Sequence, residues 1–206
     1  FGWADKEQNV PMEVKHIFRI ASISKLITAT GIMKLYESGK LSLDDKVFGE
    51  NGILCDSIFS NIKDARIKQI TVEHLLRHQG GYSIRAGDPL FNEVSVAQQL
   101  GIQPPVSFND MVRYGAETRL RYRPGSGNMY SNLGYVVLSK VIEKVSGMPY
   151  ETFIQDSILH PIGCMDMHIG YSFYEKRYPN EVRYYEPEDT EPVELFDGSG
   201  QLVPRC

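Results

Sequence analysis

The stretch F-R-I-A-S-I-S-K-L-I-T-A, Phe18 to Ala29, sets a hydroxyl at Ser22 and an amine at Lys25 at the start of a helical pattern. Residues three apart on a helix share one face. The pattern continues through Ile32, Met33, Leu35 and Tyr36, apolar almost all round. That predicts a buried helix from Ser22 to Ser38, ended by Gly39. The run Ile17-Phe18-Arg19-Ile20 before it reads as extended. A serine is a poor nucleophile until a neighbour takes its proton. A helix start adds a positive dipole end, which favours an oxyanion formed at Ser22.

A second string supplies a partner. Tyr130-Ser131-Asn132 follows the turn Pro124-Gly125-Ser126-Gly127 and precedes a strongly periodic helix. It offers a phenol and a carboxamide on one side of the chain. Lysine and tyrosine beside a serine can carry its proton when their surroundings lower their proton affinity. Together the strings read as a serine hydrolase with a Ser-Lys-Tyr network in place of a histidine. Each string has a second copy, Ser60–Lys63 and Tyr178–Asn180. Context separates the copies, because a short motif needs its structural setting. Ser60 lies in the polar stretch S-N-I-K-D-A-R with no apolar helix after it, and Tyr178 precedes Pro179 in a charged loop.

With these strings go L-Y-E-S-G-K-L-S-L-D-D-K-V (Leu35 to Val47), I-T-V-E-H-L-L-R-H-Q-G-G (Ile70 to Gly81) and P-G-S-G-N-M-Y-S-N-L-G-Y (Pro124 to Tyr135). In this order they resemble the class C-type β-lactamases, the penicillin-binding D-Ala-D-Ala peptidases and their esterase cousins, over nearly the whole chain. The resemblance implies an α+β, β-lactamase/transpeptidase-like fold: a helical lobe with a partial antiparallel sheet. It implies Ser22 as nucleophile, Lys25 and Tyr130 as proton handlers, and Asn132 as a contact to the substrate amide. Asn132 also reads as a helix cap. The substrate would be a lactam, a D-Ala-D-Ala peptide or a small ester. A non-hydrolytic penicillin-binding sensor and an inactive fragment are the alternatives. The family's third motif, K-[ST]-G or H-x-G on an edge strand, has no good match. His78-Gln79-Gly80 precedes Tyr130, and His168-Ile169-Gly170 follows it too soon. The chain starts at Phe1 and stops at Cys206 in mid-pattern, so it reads as an internal piece of a longer protein with an open sheet edge, free to pair with another chain. The resemblance implies a periplasmic or other extracytoplasmic setting.

Composition narrows the field without choosing a function. A chain of 206 residues suffices for one domain with a core. The net charge of −4 argues against a nucleic-acid partner. Much of the acidity sits in Glu181–Glu194, read as a solvated loop or edge hairpin. Cys55, Cys164 and Cys206 form neither a disulfide framework nor a metal motif. His74 and His78 stand four apart, but H-L-L-R-H lacks the glutamate of H-E-x-x-H and a third ligand. No metal or cofactor is expected.

Along the chain, residues 1–20 and 166–206 read as sheet portions and 21–165 as a mainly helical lobe. A short helix is predicted from the N-cap Thr71 to Gly80-Gly81, then a loop rich in glycine and proline. Ser107 with Asp110 resembles a capping box for a helix to about Ala116. Leu133, Val137, Leu138, Val141, Ile142 and Val145 form the apolar face of a helix over Asn132–Ser146, stopped by Gly147. A further helix runs from Tyr150 to Leu159. The active site is expected where the helical lobe meets the sheet.

Overall fold

The computed structural model describes residues 2–85, 87–171 and 174–185, with the short pairs 193–194 and 202–203. Much of the acidic run 181–194, and Cys206, lie outside the described residues. The architecture is α+β. Strand β1 (Trp3–Asp5) pairs antiparallel with β2 (Val10–Pro11), and β3 (Val193–Glu194) with β4 (Leu202–Val203). Between them lie α1 (Ser24–Glu37), α2 (Val72–Leu76), α3 (Glu93–Leu100), α4 (Phe108–Glu117), α5 (Asn132–Ser146) and α6 (Tyr150–Ile154).

The best-marked helix is α5. Its N-cap Ser131 accepts a hydrogen bond from the Gly134 N–H at 3.0 Å, and Gly147 closes it with φ +71°, a conformation glycine adopts freely. The cap is therefore Ser131 and not Asn132. Helix α4 opens on the predicted capping box of Ser107 and Asp110. At α2 the box is Thr71 with His74: the Thr71 N–H donates to His74 Nδ1, and the His74 N–H donates to Thr71 Oγ1. Helix α2 ends at Leu76, short of the predicted Gly80. The loop predicted after Gly81 contains α3, capped by Asn92. The last predicted helix changes its hydrogen-bond spacing partway, with α6 followed by one wide π turn over Gln155–Leu159.

Helix α1 departs from its prediction at its start and on one face. Ala21–Ile23 forms a tight 3₁₀ turn, and α-helical geometry begins at Ser24. Thr28, Gly31, Ile32 and Leu35 are buried, whereas Ile23, Leu26, Met33 and Tyr36 are exposed. The buried set follows the three-and-four spacing of one helical face, and that face meets α5 and α6. Gly31 sits at the crossing. A Cβ there would stand 2.9 Å from Ile154 Cδ1 and 3.0 Å from Ile142 Cδ1. The core runs on from Ile32 and Leu35 through Val72, Leu75, Val112, Val137, Leu138 and Ile142, all at most 1% exposed.

The segment up to Ile17 meets residues 181–183. The Arg183 N–H donates to the Ala4 carbonyl at 2.8 Å, and the Val182 N–H to the Ile17 carbonyl at 3.1 Å. Ile17 and Glu181 form an isolated parallel bridge. These contacts set the segment from Ile17, which leads into Ser22, beside residues 181–183.

Gly31→Val should cost about 1–3 kcal/mol through overpacking of the α1–α5–α6 crossing. Urea unfolding measures it. Unchanged stability would show that Ile142 and Ile154 yield without strain.

Candidate active site

Ser22 stands at the surface in the 3₁₀ turn before α1. Its predecessor Ala21 has φ +43°, in the left-handed region that alanine enters only at a cost. This turns the chain sharply out of the extended run and into α1. Lys25 follows one helical turn later and is half-buried. Its Nζ donates to Ser22 Oγ at 3.3 Å. The ammonium also lies 4.7 Å from the centroid of the Tyr130 ring and 5.8 Å from that of Tyr135, within cation–π range.

Tyr130 arrives from the other side of the molecule, 108 residues along the chain, and its hydroxyl donates to Ser22 Oγ at 2.7 Å. Its position is set by a ladder between the segment after α2 and the segment before α5. The Arg121 N–H donates to the Gly81 carbonyl (2.8 Å), the Gly125 N–H to Gln79 (3.0 Å) and the Met129 N–H to His78 (3.0 Å). Gly81 has φ +92°, and a Cβ there would lie 2.5 Å from the Tyr122 carbonyl oxygen. Only glycine permits this approach. Asp64 anchors the near end: its carboxylate receives Arg66 (2.7 Å) and the Leu120 N–H (3.1 Å), while Arg66 donates to the Leu120 carbonyl (2.6 Å). The Arg66 hydrogen bond pulls the Asp64 carboxyl down to about 2.

Proton affinities around the serine are uneven. The Lys25 ammonium beside the phenol, and then the Ser22 hydroxyl, hold Tyr130 below its ordinary value. Burial, and then Lys25, push His78 down. Burial pushes Tyr135 up. The phenol nearest the serine is thus the one whose ionised form is favoured.

The serine, lysine and phenol therefore come together. Asn132 is bonded to a different partner: its Nδ2 donates to Asp88 Oδ2 at 2.8 Å, and Asp88 also accepts from the Leu90 N–H. Asp88 and His78 are the polar neighbours that sequence reasoning missed. The duplicate strings have other employment. Ser60 donates to the Ser57 carbonyl, and Lys63 pairs with Glu117 at 2.9 Å. Tyr178 stacks on His168, and Asn180 donates to the Lys15 carbonyl. His168 thus lies in the second H-x-G match without reaching the serine. A largely apolar cavity of about 690 Å³ opens beside the 17–21 run, between Ile17, Ile27, Ile154 and Met167. Ser22, Lys25 and Tyr130 do not line it. The hydrogen-bonded triplet carries the assignment, because reactivity needs contact between the groups. Among the described residues no group of three or more His, Cys, Asp or Glu is arranged to hold a metal.

The chain as a whole belongs to a known class. The family model described as Beta-lactamase matches residues 1–200, and the chain belongs to that family. It is 32% identical over 188 residues to a penicillin-binding protein of Bacillus subtilis (strain 168), covering 90% of this chain and 37% of that protein. It is 30% identical over 202 residues to the esterase EstB of Burkholderia gladioli, covering 96% and 48%. The octameric penicillin-binding protein homologue from Pyrococcus abyssi superimposes with a TM-score of 0.65 at 33% identity, over 99% of this chain and 42% of that one. The chain spans less than half the length of each of these relatives.

Gly81→Ala should destabilise the protein by about 1–3 kcal/mol, the range for an enforced backbone strain. Gly147→Ala is the control, since Gly147 also has positive φ but open space around it. Its cost should be smaller. Equal losses in thermal unfolding would remove the close-approach argument. A second expectation concerns Asp64. Its folded pKa of about 2 lies below the ordinary 3.8, so its contribution is present above pH 3.8 and is lost as pH falls toward 2. Asp64→Asn should flatten that part of the acid-unfolding curve.

Proposed function

We propose that the protein is a serine hydrolase acting through an acyl-serine at Ser22, with Lys25 and Tyr130 as proton carriers and Asn132 as the contact for the substrate amide. The observation that carries the reading is the pair of hydrogen bonds to Ser22 Oγ, 2.7 Å from Tyr130 and 3.3 Å from Lys25. Both are donated to the serine oxygen, so its own proton points elsewhere in this resting arrangement. Ionisation of Tyr130 reverses the shorter bond: the serine hydroxyl then donates to the phenolate. Ser22 Oγ passes its proton to Tyr130 and bonds the substrate carbonyl carbon, and the carbonyl π pair moves onto oxygen. Collapse of that adduct breaks the bond to the leaving group, which takes the proton back from Tyr130. Lys25 stabilises the phenolate throughout. The start of α1 favours the oxyanion. Water then attacks the acyl-serine by the same proton path.

The substrate is a lactam, a D-Ala-D-Ala peptide or a small ester, in keeping with relatives named as a penicillin-binding protein and an esterase. The extracytoplasmic setting rests on the same family relation. No helix among the described residues is long and apolar enough to cross a membrane. Pairing of chains through an exposed sheet edge belongs to this reading as well.

A fluorescent penicillin and a p-nitrophenyl ester test the proposal together. Ser22→Ala should abolish both labelling and turnover, and Ser60→Ala should leave both nearly intact. Equal behaviour of the two variants would overturn the assignment of the nucleophile. Stable labelling without turnover would replace hydrolysis by a penicillin-binding role. Tyr130→Phe should slow acylation by about 10²–10⁴-fold, the usual worth of a placed acid–base group. Because Tyr130 ionises below its ordinary 10.0, the wild-type rate should rise with pH before that value is reached, and Tyr130→Phe should lose this limb.

A further inference from the structure

We propose that His78, as a neutral imidazole, is the positioning residue that holds the Tyr130 phenol against Ser22. The inference rests on the acyl-serine reading above and deepens it. His78 accepts from the N–H groups of both residues that flank Tyr130. Its carbonyl accepts the Met129 N–H at 3.0 Å, and its Nδ1 accepts the Ser131 N–H at 3.2 Å. Its ring lies against the Tyr130 ring, with centroids 4.6 Å apart and planes tilted by 36°, and against Tyr135 at 5.2 Å. One residue therefore fixes the backbone before the phenol, the backbone after it and one side of its ring.

The chain is shaped to allow this. Helix α2 stops at Leu76, and His78 takes φ +57°, a left-handed conformation in which histidine is among the enriched non-glycine residues. That turn carries the ring off the helix and toward the segment before α5. Such strained residues gather where function fixes the geometry.

The bond to the Ser131 N–H also fixes the tautomer. An Nδ1 that accepts leaves the proton on Nε2. A second proton would place N–H against N–H and break the contact. The groups facing His78 are the Lys25 ammonium from α1, the Tyr130 phenol, the Tyr135 phenol from α5, and the Tyr122 hydroxyl, which donates to its carbonyl at 3.4 Å; Glu73 and Arg77 flank it on its own segment and pair with each other. None is an anion directed at the imidazole, while Lys25 opposes a second positive charge beside it. Burial acts in the same direction. Both effects favour the neutral ring.

Two variants separate the ring from the acceptor. His78→Asn keeps an acceptor for the Ser131 N–H and tolerates the left-handed backbone. His78→Phe keeps a ring and loses the acceptor. The tyrosines are labelled with ¹³C at Cζ, and the Tyr130 phenol is titrated by NMR in each variant. This readout does not depend on turnover. In His78→Phe the phenol should drift from Lys25 and Ser22, and its pKa should climb back toward its ordinary value. In His78→Asn it should stay lowered. Ester hydrolysis should follow, with kcat falling about 10- to 100-fold in His78→Phe, KM little changed, and His78→Asn recovering most of the loss. Besides the limb set by Tyr130, protonation of His78 below 6.5 should add a second, more acidic fall in the wild-type profile, and that second fall alone should vanish in His78→Asn. A phenol titration unchanged in His78→Phe, or shifted equally in both variants, overturns the proposal. Retained hydrolysis by Ser22→Ala would instead overturn the acyl-serine reading, and the NMR titration would still decide whether His78 places the phenol.

Discussion

Three peptide hydrogen bonds join residues 78–81 to residues 121–129, and the placement of Tyr130 depends on them. The serine and its lysine are neighbours on one helical turn and meet by local geometry alone. The phenol has no such advantage. It must be carried across 108 residues of chain and delivered to within hydrogen-bonding distance of one oxygen. The ladder does this with main-chain groups, whose geometry leaves little freedom. Asp64 and Arg66 extend the same support to Leu120.

The ladder in turn needs a fixed distance between α2 and α5, and that distance is set by the core. Helix α5 packs against α1, α2, α4 and α6, so it is the common wall of the helical lobe. Gly31 lets α1 approach that wall closely. A core at native density transmits displacement instead of absorbing it. A shift of α1 at Gly31 would therefore be felt two turns earlier at Lys25 and Ser22. Packing and chemistry are coupled through one short helix.

Much of this was legible in the sequence wherever several local signals agreed. Over Asn132–Ser146 the apolar period and the Gly147 stop agree, and the helix lies where predicted. That Ser22, Lys25 and Tyr130 come together was readable because their neighbours supplied the context that Ser60 and Tyr178 lack. Other features depend on partners far along the chain. The burial of α1 was overstated, since an apolar count cannot say which face finds a neighbour. Helix α3 was missed between two loops rich in glycine and proline, its only strong mark being the cap Asn92. The capping box at Thr71 uses histidine where glutamate is usual, which drew attention to metal spacing instead. The link between His78 and Ser131 spans 53 residues and leaves no local trace. The same holds for Asp88 and Asn132, 44 residues apart.

Ala21 has a consequence for how the site meets its substrate. A glycine at φ +43° would be free to populate both hands of the backbone. An alanine there has few other places to go once the surrounding fold demands a left-handed turn. The torsion leading into Ser22 is therefore frozen when the protein folds. Loss of conformational freedom at an attacking atom ordinarily weighs against association with the molecule it attacks. Here that loss belongs to folding, and the encounter takes place with a receptor that is already stiff.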